Sequence, residues 1–478
     1  MWGLAMPNTD SIQRRGYPVP GMVRWVNAVA ERHPRGYLTV VTVLMLPGFC
    51  FLLLFPFLVF EGASVLVREL PHVKTMEHWL VVEVWFAIIL FCLFFSQQIF
   101  QLHFPRIQGL KLSKELAPGL YGLIAEVRKY AERPVIRNIV LTDHYELRIE
   151  ETPRFGYPFL MSRTLVVGMP MLQTLSIKQF RGEVMRKMGQ YSSGRLRLTH
   201  WIYRTRLLWC KYHQALQKRK RIGELPVRWF FSFYAPLFAM LSVPVARQDE
   251  LAADTVVLEW LNDRDYFETI KSSTIAAIFL DAHYWPKVYQ SVLKNPQEAK
   301  DVFNPFEKLE HISGHLKSKD FRRRWLQGAF EAEQDFTSII PSLRSRMDAI
   351  GQSTLRDVPI VEQTAAVVCL GEARKNYVPI IDKLWHSTTF AEWKADYEKR
   401  RKNINTVKKL SRKSQKQVLN LKEVLRYARI AKRLRGDPLR RSVRKIMKRN
   451  LKNSRIAAFG RNLVHRKLKT TPPTNDII

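Results

Sequence analysis

Cysteine is scarce in this chain: Cys50, Cys92, Cys210 and Cys369 are the only four in 478 residues, and no two stand at a pairing distance in sequence. That excludes a disulfide framework and a cysteine-ligated zinc site. Acidic residues are also short, 42 Asp+Glu against 77 Lys+Arg, for a formal net charge of +35. There is no glycine-rich phosphate loop, no internal repeat and no locally spaced Ser/His/Asp or Cys/His set. Apolar residues are plentiful at 46%, which rules out a wholly disordered chain. The length suits roughly two to three domains.

Neither charge nor apolarity is spread evenly. Residues 394–478 hold 28 Lys+Arg and 5 Asp+Glu, so +23 of the +35 sits there and the body is only moderately basic. Residues 37–60 are uncharged throughout (YLTVVTVLMLPGFCFLLLFPFLVF), and 79–102 are interrupted only by Glu83. Each is long enough to cross a hydrocarbon layer of about 30 Å. Pro47 and Pro56 are tolerable there if neighbours satisfy the freed carbonyls. The long preceding arm and the second apolar segment argue against a cleaved signal peptide. The arm 1–36 and the exit of the second segment are rich in Arg and Lys, whereas 61–78 has only Arg68 and Lys74. Basic flanks stay inside, so both termini are expected in the cytoplasm and 61–78 as a short external loop. A third apolar stretch, 229–246, contains Pro236 and Pro244. Read alone it is a candidate for a membrane segment, at the short limit of length; the family resemblance described below implies instead a core helix, a re-entrant hairpin broken near Pro236, or a membrane-proximal, non-crossing helix pair, with the last preferred.

In the body, Ser113–Glu132 reads as a helix capped by Ser113, Val135–Asp143 and Thr164–Val167 as strands, and 153–158 as irregular. Ser176 with Gln179 three residues on is a capping box, opening a helix to about Gln190. Beyond Asp249 another helix carries Glu250, Ala253, Asp254, Val257 and Leu258.

The order of VIRNIVLTD, TLVVGMPMLQTLSIKQFRGEVMRKMGQYSSG, Arg247-Gln248-Asp249-Glu250-Leu251-Ala252-Ala253-Asp254, Pro341-Ser342-Leu343-Arg344-Ser345-Arg346-Met347, and Thr364-Ala365-Ala366 with Leu370-Gly371-Glu372-Ala373 resembles the membrane-bound zinc metallopeptidases of the HtpX-like and CAAX-prenyl-endopeptidase type, over roughly residues 38–405. The resemblance implies a zincin-like fold, mainly α with a small β-sheet, in residues 103–393, behind two N-terminal transmembrane helices and ahead of a basic helical tail at 394–478. In that family H-E-x-x-H puts two zinc ligands on one helix face, with the Glu polarising the metal-bound water. Here the aligned positions are Arg186, Lys187 and Gln190, and of the ligand set only Glu250 survives. Arg and Lys offer a metal no lone pair at neutral pH. The substrate-contacting Asn-Ala is replaced by Glu146-Leu147. No catalytic residue, bound zinc or other cofactor is therefore expected. Instead an ion-pair network is expected, with Arg186 between Glu250 and Asp254 and with Glu183 paired to Lys187 at i, i+4.

The remaining histidines suggest little. His311 and His315 are four apart, but Gly314 weakens a helix there and no Glu follows His311, so they read as solvent-facing. His200, His213 and His283 are lone residues. The tail mixes basic and apolar residues at helical spacing, with Lys432, Arg433, Arg435, Arg440, Arg441, Arg444 and Lys445 around Gly436-Asp437-Pro438, a pattern of membrane-surface or partner-binding helices. Its few aromatics, Tyr397, Tyr427 and Phe459, give little for base stacking. The expected role is a non-catalytic binding, regulatory or scaffold protein of the bacterial inner (plasma) membrane, with anionic lipid on the tail and a membrane protein or peptide in the degenerate cleft. An active zinc endopeptidase with a rearranged ligand set, and a membrane-tethered nucleic-acid binder, are the alternatives.

Overall fold

The computed structural model describes residues 20–390, apart from 73–74, 132–134, 159, 192–196, 220–223, 262, 289–303, 313–317, 337 and 353–360, together with scattered positions between 398 and 430. The chain divides into two units at Trp385, nine residues before the expected boundary at 394, where the last long helix of the body ends; Ala5–Leu384 is the unit that carries the site. The tail residues Lys432, Arg433, Arg435, Arg440, Arg441, Arg444 and Lys445, and His315, lie outside the described residues.

The body is mainly helical. Helices α1 (Pro20–Arg32), α2 (Pro34–Glu69) and α3 (Met76–Phe100) come first, followed by strand β1 (Leu110–Leu112) and helix α4 (Pro118–Val127). Strands β2 (Asn138–Thr142), β3 (Leu147–Pro153) and β4 (Met161–Gly168) complete one sheet of order β1-β2-β4-β3. Only β2 and β4 run parallel; the other pairs are antiparallel. Helices α5 (Met169–Thr174), α6 (Ile177–Gly189), α7 (Arg197–Arg219), α8 (Leu225–Leu241), α9 (Val243–Trp260) and α10 (Asp263–Ile278) follow. After them come α11 (Pro305–Ile312), α12 (Lys319–Glu331), α13 (Leu343–Ala349), α14 (Ala365–Leu370) and α15 (Arg374–Trp385).

Two helices, Pro34–His72 (counting a short 3-10 turn at its end) and Met76–Phe100, are long and apolar enough to cross a membrane. The first is longer than the expected 37–60, and both internal prolines are accommodated in it. The expected loop 61–78 is mostly helix. Nothing between Glu61 and Glu69 breaks the pattern, and Gly62 lets α2 press against Trp85 and Ile89 of α3, so the hairpin is extended until Pro71 stops it. The second helix begins at Met76 rather than 79. Further corrections concern α4, which starts at Pro118 rather than after Ser113 because proline suits the first helical position, and β3, a strand over Leu147–Pro153 that the sequence reading did not include.

Helices α7 and α8 form a hairpin packed on the first half of α2. Tyr234 donates its hydroxyl to Leu44 O at 2.7 Å, Tyr37 donates to Leu241 O at 2.5 Å, and Phe51 stacks on Phe230 at 4.1 Å. These contacts run α8 antiparallel to α2. Trp209 and Tyr212 of α7, with Phe231 of α8, fill the centre of this core. Gly48 makes room: a Cβ there would lie 2.6 Å from Trp209. The third apolar stretch thus divides at Ser242, not at Pro236, which stays inside α8; Pro244 instead starts α9, and the two helices meet at a 51° bend.

Candidate functional site

Helix α6 is fixed from both ends and along its sides. Ser176 Oγ accepts the Gln179 N–H at 3.3 Å and Gln179 Oε1 accepts the Ser176 N–H at 3.0 Å, the capping box expected from the sequence. The Ala365 N–H donates to Leu175 O at 2.8 Å, which ties the start of α6 to α14. Gly182 faces Thr269 of α10 and Gly189 faces Val256 and Trp260 of α9, at distances where a side chain would crowd. Small residues on α6 thereby bring its last two turns against α9 and α10.

That approach gathers the charged residues. Arg186 Nε donates to Asp254 Oδ1 at 2.8 Å and its Nη2 bonds Glu250 Oε2. Lys187 Nζ lies 3.0 and 3.1 Å from the two Glu250 oxygens. Glu250 and Asp254 are i, i+4 on α9, so both face α6. A third cation enters from α13: Arg346 donates Nε to Asp254 Oδ2 at 2.9 Å and Nη2 to Oδ1 at 2.8 Å. The Tyr266 hydroxyl donates to Asp254 Oδ1 at 2.5 Å. Glu183 lies 3.7 Å from Arg186. The expected Glu183–Lys187 pairing is not what forms: Glu250, reaching across from α9, takes Lys187, and Glu183 is left beside Arg186. Three cations (Arg186, Lys187, Arg346) and three carboxylates (Glu183, Glu250, Asp254) therefore share one buried cluster.

The electrostatics follow from burial opposed by pairing. Burial works to raise the Glu250 carboxyl, but Lys187 and Arg186 outweigh it and hold the group well below the usual carboxylate range. Asp254 is likewise lowered, burial being overcome by Arg346 and Arg186. Arg346 and Arg186 are pushed upward by those carboxylates despite burial. Lys187 is lowered, because burial and the neighbouring Arg186 exceed the pull of Glu250.

A second buried pair adjoins the first. His200 Nδ1 is 3.0 Å from Asp249 Oδ2, and Thr199 Oγ1 donates to the other Asp249 oxygen at 3.2 Å. Burial raises the Asp249 carboxyl. His200 is thus a packed residue that joins α7 to α9. His213, near Phe231 O at 3.2 Å, is also structural. Glu146 is turned onto its own hairpin, accepting from Thr142 at 3.0 Å and from Arg148 at 2.9 Å. On β3, Glu151 accepts from Arg163 at 2.6 Å and from Arg204 of α7. Lys211 of α7 bonds Glu150 and the Glu151 carbonyl and is pushed down to about 7, chiefly by burial and then by Arg148.

Sequence reasoning missed Arg346 and Tyr266 as members of the network. Arg346 lies in the Pro341–Met347 stretch that carries part of the resemblance, and that was the one available signal; nothing local marks Tyr266. As to metal, the residues at positions 186, 187 and 190 do not fit zinc. Two are cations that already donate hydrogen bonds to Glu250, the sole carboxylate of the implied ligand set. Comparison of the chain with protein-family models, with curated proteins and with solved structures finds no match in any of the three.

Proposed function

We propose that this chain is a membrane-anchored homologue of the HtpX-like metallopeptidases, with a zincin-like fold, whose zinc centre has given way to the Arg186–Lys187–Glu250–Asp254 network and which binds a polypeptide without cleaving it. The observation that carries the reading is the meeting of positions 186 and 187 with position 250, 64 and 63 residues away on another helix, as the zinc-helix positions and third ligand would meet, but with cations in the first two. The pairing of Arg346 with Asp254 ties in one more of the resembling motifs. Both membrane helices cross, with the termini on the cytoplasmic side of a bacterial inner membrane, and the basic tail rests on anionic lipid.

The ligand side of the proposal rests on β3. It is an edge strand. Glu146 O accepts the Gly168 N–H and the Arg154 N–H reaches Leu160 O, so the backbone groups of Leu147, Ile149 and Glu151 turn away from β4. Lys211 takes the Glu151 carbonyl. An edge of this kind pairs with an extended peptide.

Elemental analysis of the purified full chain tests the reading. Wild type is expected to lack stoichiometric zinc, and the triple variant Arg186→His/Lys187→Glu/Gln190→His is expected to acquire it, because two imidazoles from α6 and the Glu250 carboxylate from α9 would then share one helix–helix seam. Near-stoichiometric, chelator-sensitive zinc in wild type would overturn it.

A further inference from the structure

Helix α1 has a face that nothing in the described body covers. Val23, Val26, Asn27 and Ala30 are buried against α8 and α9. The opposite side presents Trp25, 63% exposed, and Met22, 46% exposed, with Arg24, Arg32 and Arg35 exposed around them. One residue, His33, separates this helix from α2. The exposed apolar face of α2 begins at Val40, six residues past Pro34, or about 9 Å at 1.5 Å per residue. That places α1 within the thickness of a headgroup layer from the point where apolar side chains open to the surroundings.

A second segment is tied to the same face. Arg247 of α9 donates to Asn27 Oδ1 at 3.0 Å, to Ser338 O at 2.7 Å and to Phe336 O at 3.1 Å, while Asn27 Nδ2 reaches Phe336 O at 3.4 Å. The loop so held carries two more exposed apolar residues, Phe336 (42%) and Ile340 (52%), on either side of the buried Ile339. Aromatic and aliphatic side chains among arginines, on an amphipathic helix leading into an apolar one, form the composition of a surface that lies in a bilayer interface.

We infer that α1 and the loop residues 334–336 and 338–340 make a second, peripheral membrane contact, in which Trp25, Met22, Phe336 and Ile340 enter the headgroup boundary of an anionic bilayer and Arg24, Arg32 and Arg35 meet its phosphates. This rests on the proposed crossing of the membrane by α2 and α3, and is independent of the tail. The loop also leads into α13, whose Arg346 binds Asp254, so the lipid contact borders the charge network through Arg247.

The test uses the full chain in nanodiscs of phosphatidylcholine and phosphatidylserine in which one acyl chain is brominated close to the headgroup. Tryptophan quenching is measured for wild type, Trp25→Phe and Trp79→Phe, and the differences isolate Trp25 and, on α3, Trp79. Strong quenching of both components is expected. The Trp25 component is expected to weaken in Phe336→Ser/Ile340→Ser and in Arg24→Glu/Arg32→Glu. A quenched Trp79 with an unquenched Trp25 overturns the inference while leaving the crossing helices in place, and means that protein covers α1. If neither is quenched, the membrane crossing fails together with the inference.

Discussion

Arg186→Met is the sharpest perturbation of the network. The side chain is 8% exposed, bonds Asp254 and Glu250, and lies 3.7 Å from Glu183. Methionine keeps most of the volume and removes the charge, leaving three buried carboxylates against two cations. Removing one member of a buried ion cluster costs about 3–5 kcal/mol, mainly through the uncompensated charge left behind. Lys187 still holds Glu250 and Arg346 still holds Asp254, so the lower end, about 3 kcal/mol, is expected. The sign with pH follows from linkage. In wild type both carboxyls are lowered on folding, so their stabilisation is complete above their unfolded values of about 4 and is lost as pH falls through the folded ones. In the variant the same carboxyls are pulled upward, so its deficit is full near neutrality and narrows toward about pH 4. Denaturant titration of the full chain, followed by circular dichroism, measures the difference from midpoint and slope. A cycle with Glu250→Gln isolates the pair and is expected to return a coupling of about 1–3 kcal/mol. A cost below about 1 kcal/mol, the range of exposed pairs, or a cost that does not change with pH, would refute the assignment of a desolvated, mutually dependent network.

Two further outcomes follow from single side chains. Burial pushes the Asp382 carboxyl up to about 6, while its Oδ1 accepts the Phe306 N–H at 3.0 Å. Folding thus favours the protonated form, so Asp382→Asn is expected to stabilise by about 1–3 kcal/mol at pH 7 and by nothing near pH 4, read as the same denaturant midpoints at the two pH values. Gly48→Leu would drive its Cβ to within 2.6 Å of Trp209 and 2.8 Å of Tyr234. Overpacking of this kind costs about 1–3 kcal/mol, and limited proteolysis is expected to show faster cleavage between α7 and α8 than in wild type.

What the sequence revealed and what it hid follow from the range of each interaction. The capping box of α6 is written in Ser176 and Gln179, three residues apart, and needs no partner elsewhere. The apolar helices announce themselves by length, and the shared face of Glu250 and Asp254 by their i, i+4 spacing. Strand β3 was hidden because Arg148, Glu150 and Glu151 break the apolar alternation; Arg148 is paired with Glu146 and Glu150, and the two carboxylates are matched by Arg163 on β4 and by Arg204 and Lys211 on α7. Lys187 was assigned to Glu183 because local spacing favoured that pair, while Glu250 arrives from 63 residues further along the chain. Tyr266 and Arg346 reach Asp254 only through tertiary packing.

The composition of the cluster bears on how such a site can change without unfolding the protein. On the proposed descent, the zinc centre holds a dication, a catalytic Glu, the Glu250 and Asp254 carboxylates and the Arg346 cation, which sum to zero. On the same proposed descent the dication and the catalytic Glu are lost. Arg186 and Lys187 each add a positive charge, Glu183 adds a negative one, and the sum is again zero. A buried group of charges this close tolerates little net imbalance, since each uncompensated charge costs several kcal/mol. Glu183 is then not an incidental neighbour of Arg186 but the third carboxylate that three cations need. Glu183→Gln is accordingly expected to destabilise by about 1–3 kcal/mol, although it makes only the longest contact of the group, 3.7 Å. A neutral result in the same denaturant assay would mean that Lys187, lowered by its surroundings, sheds its proton and balances the cluster in place of Glu183.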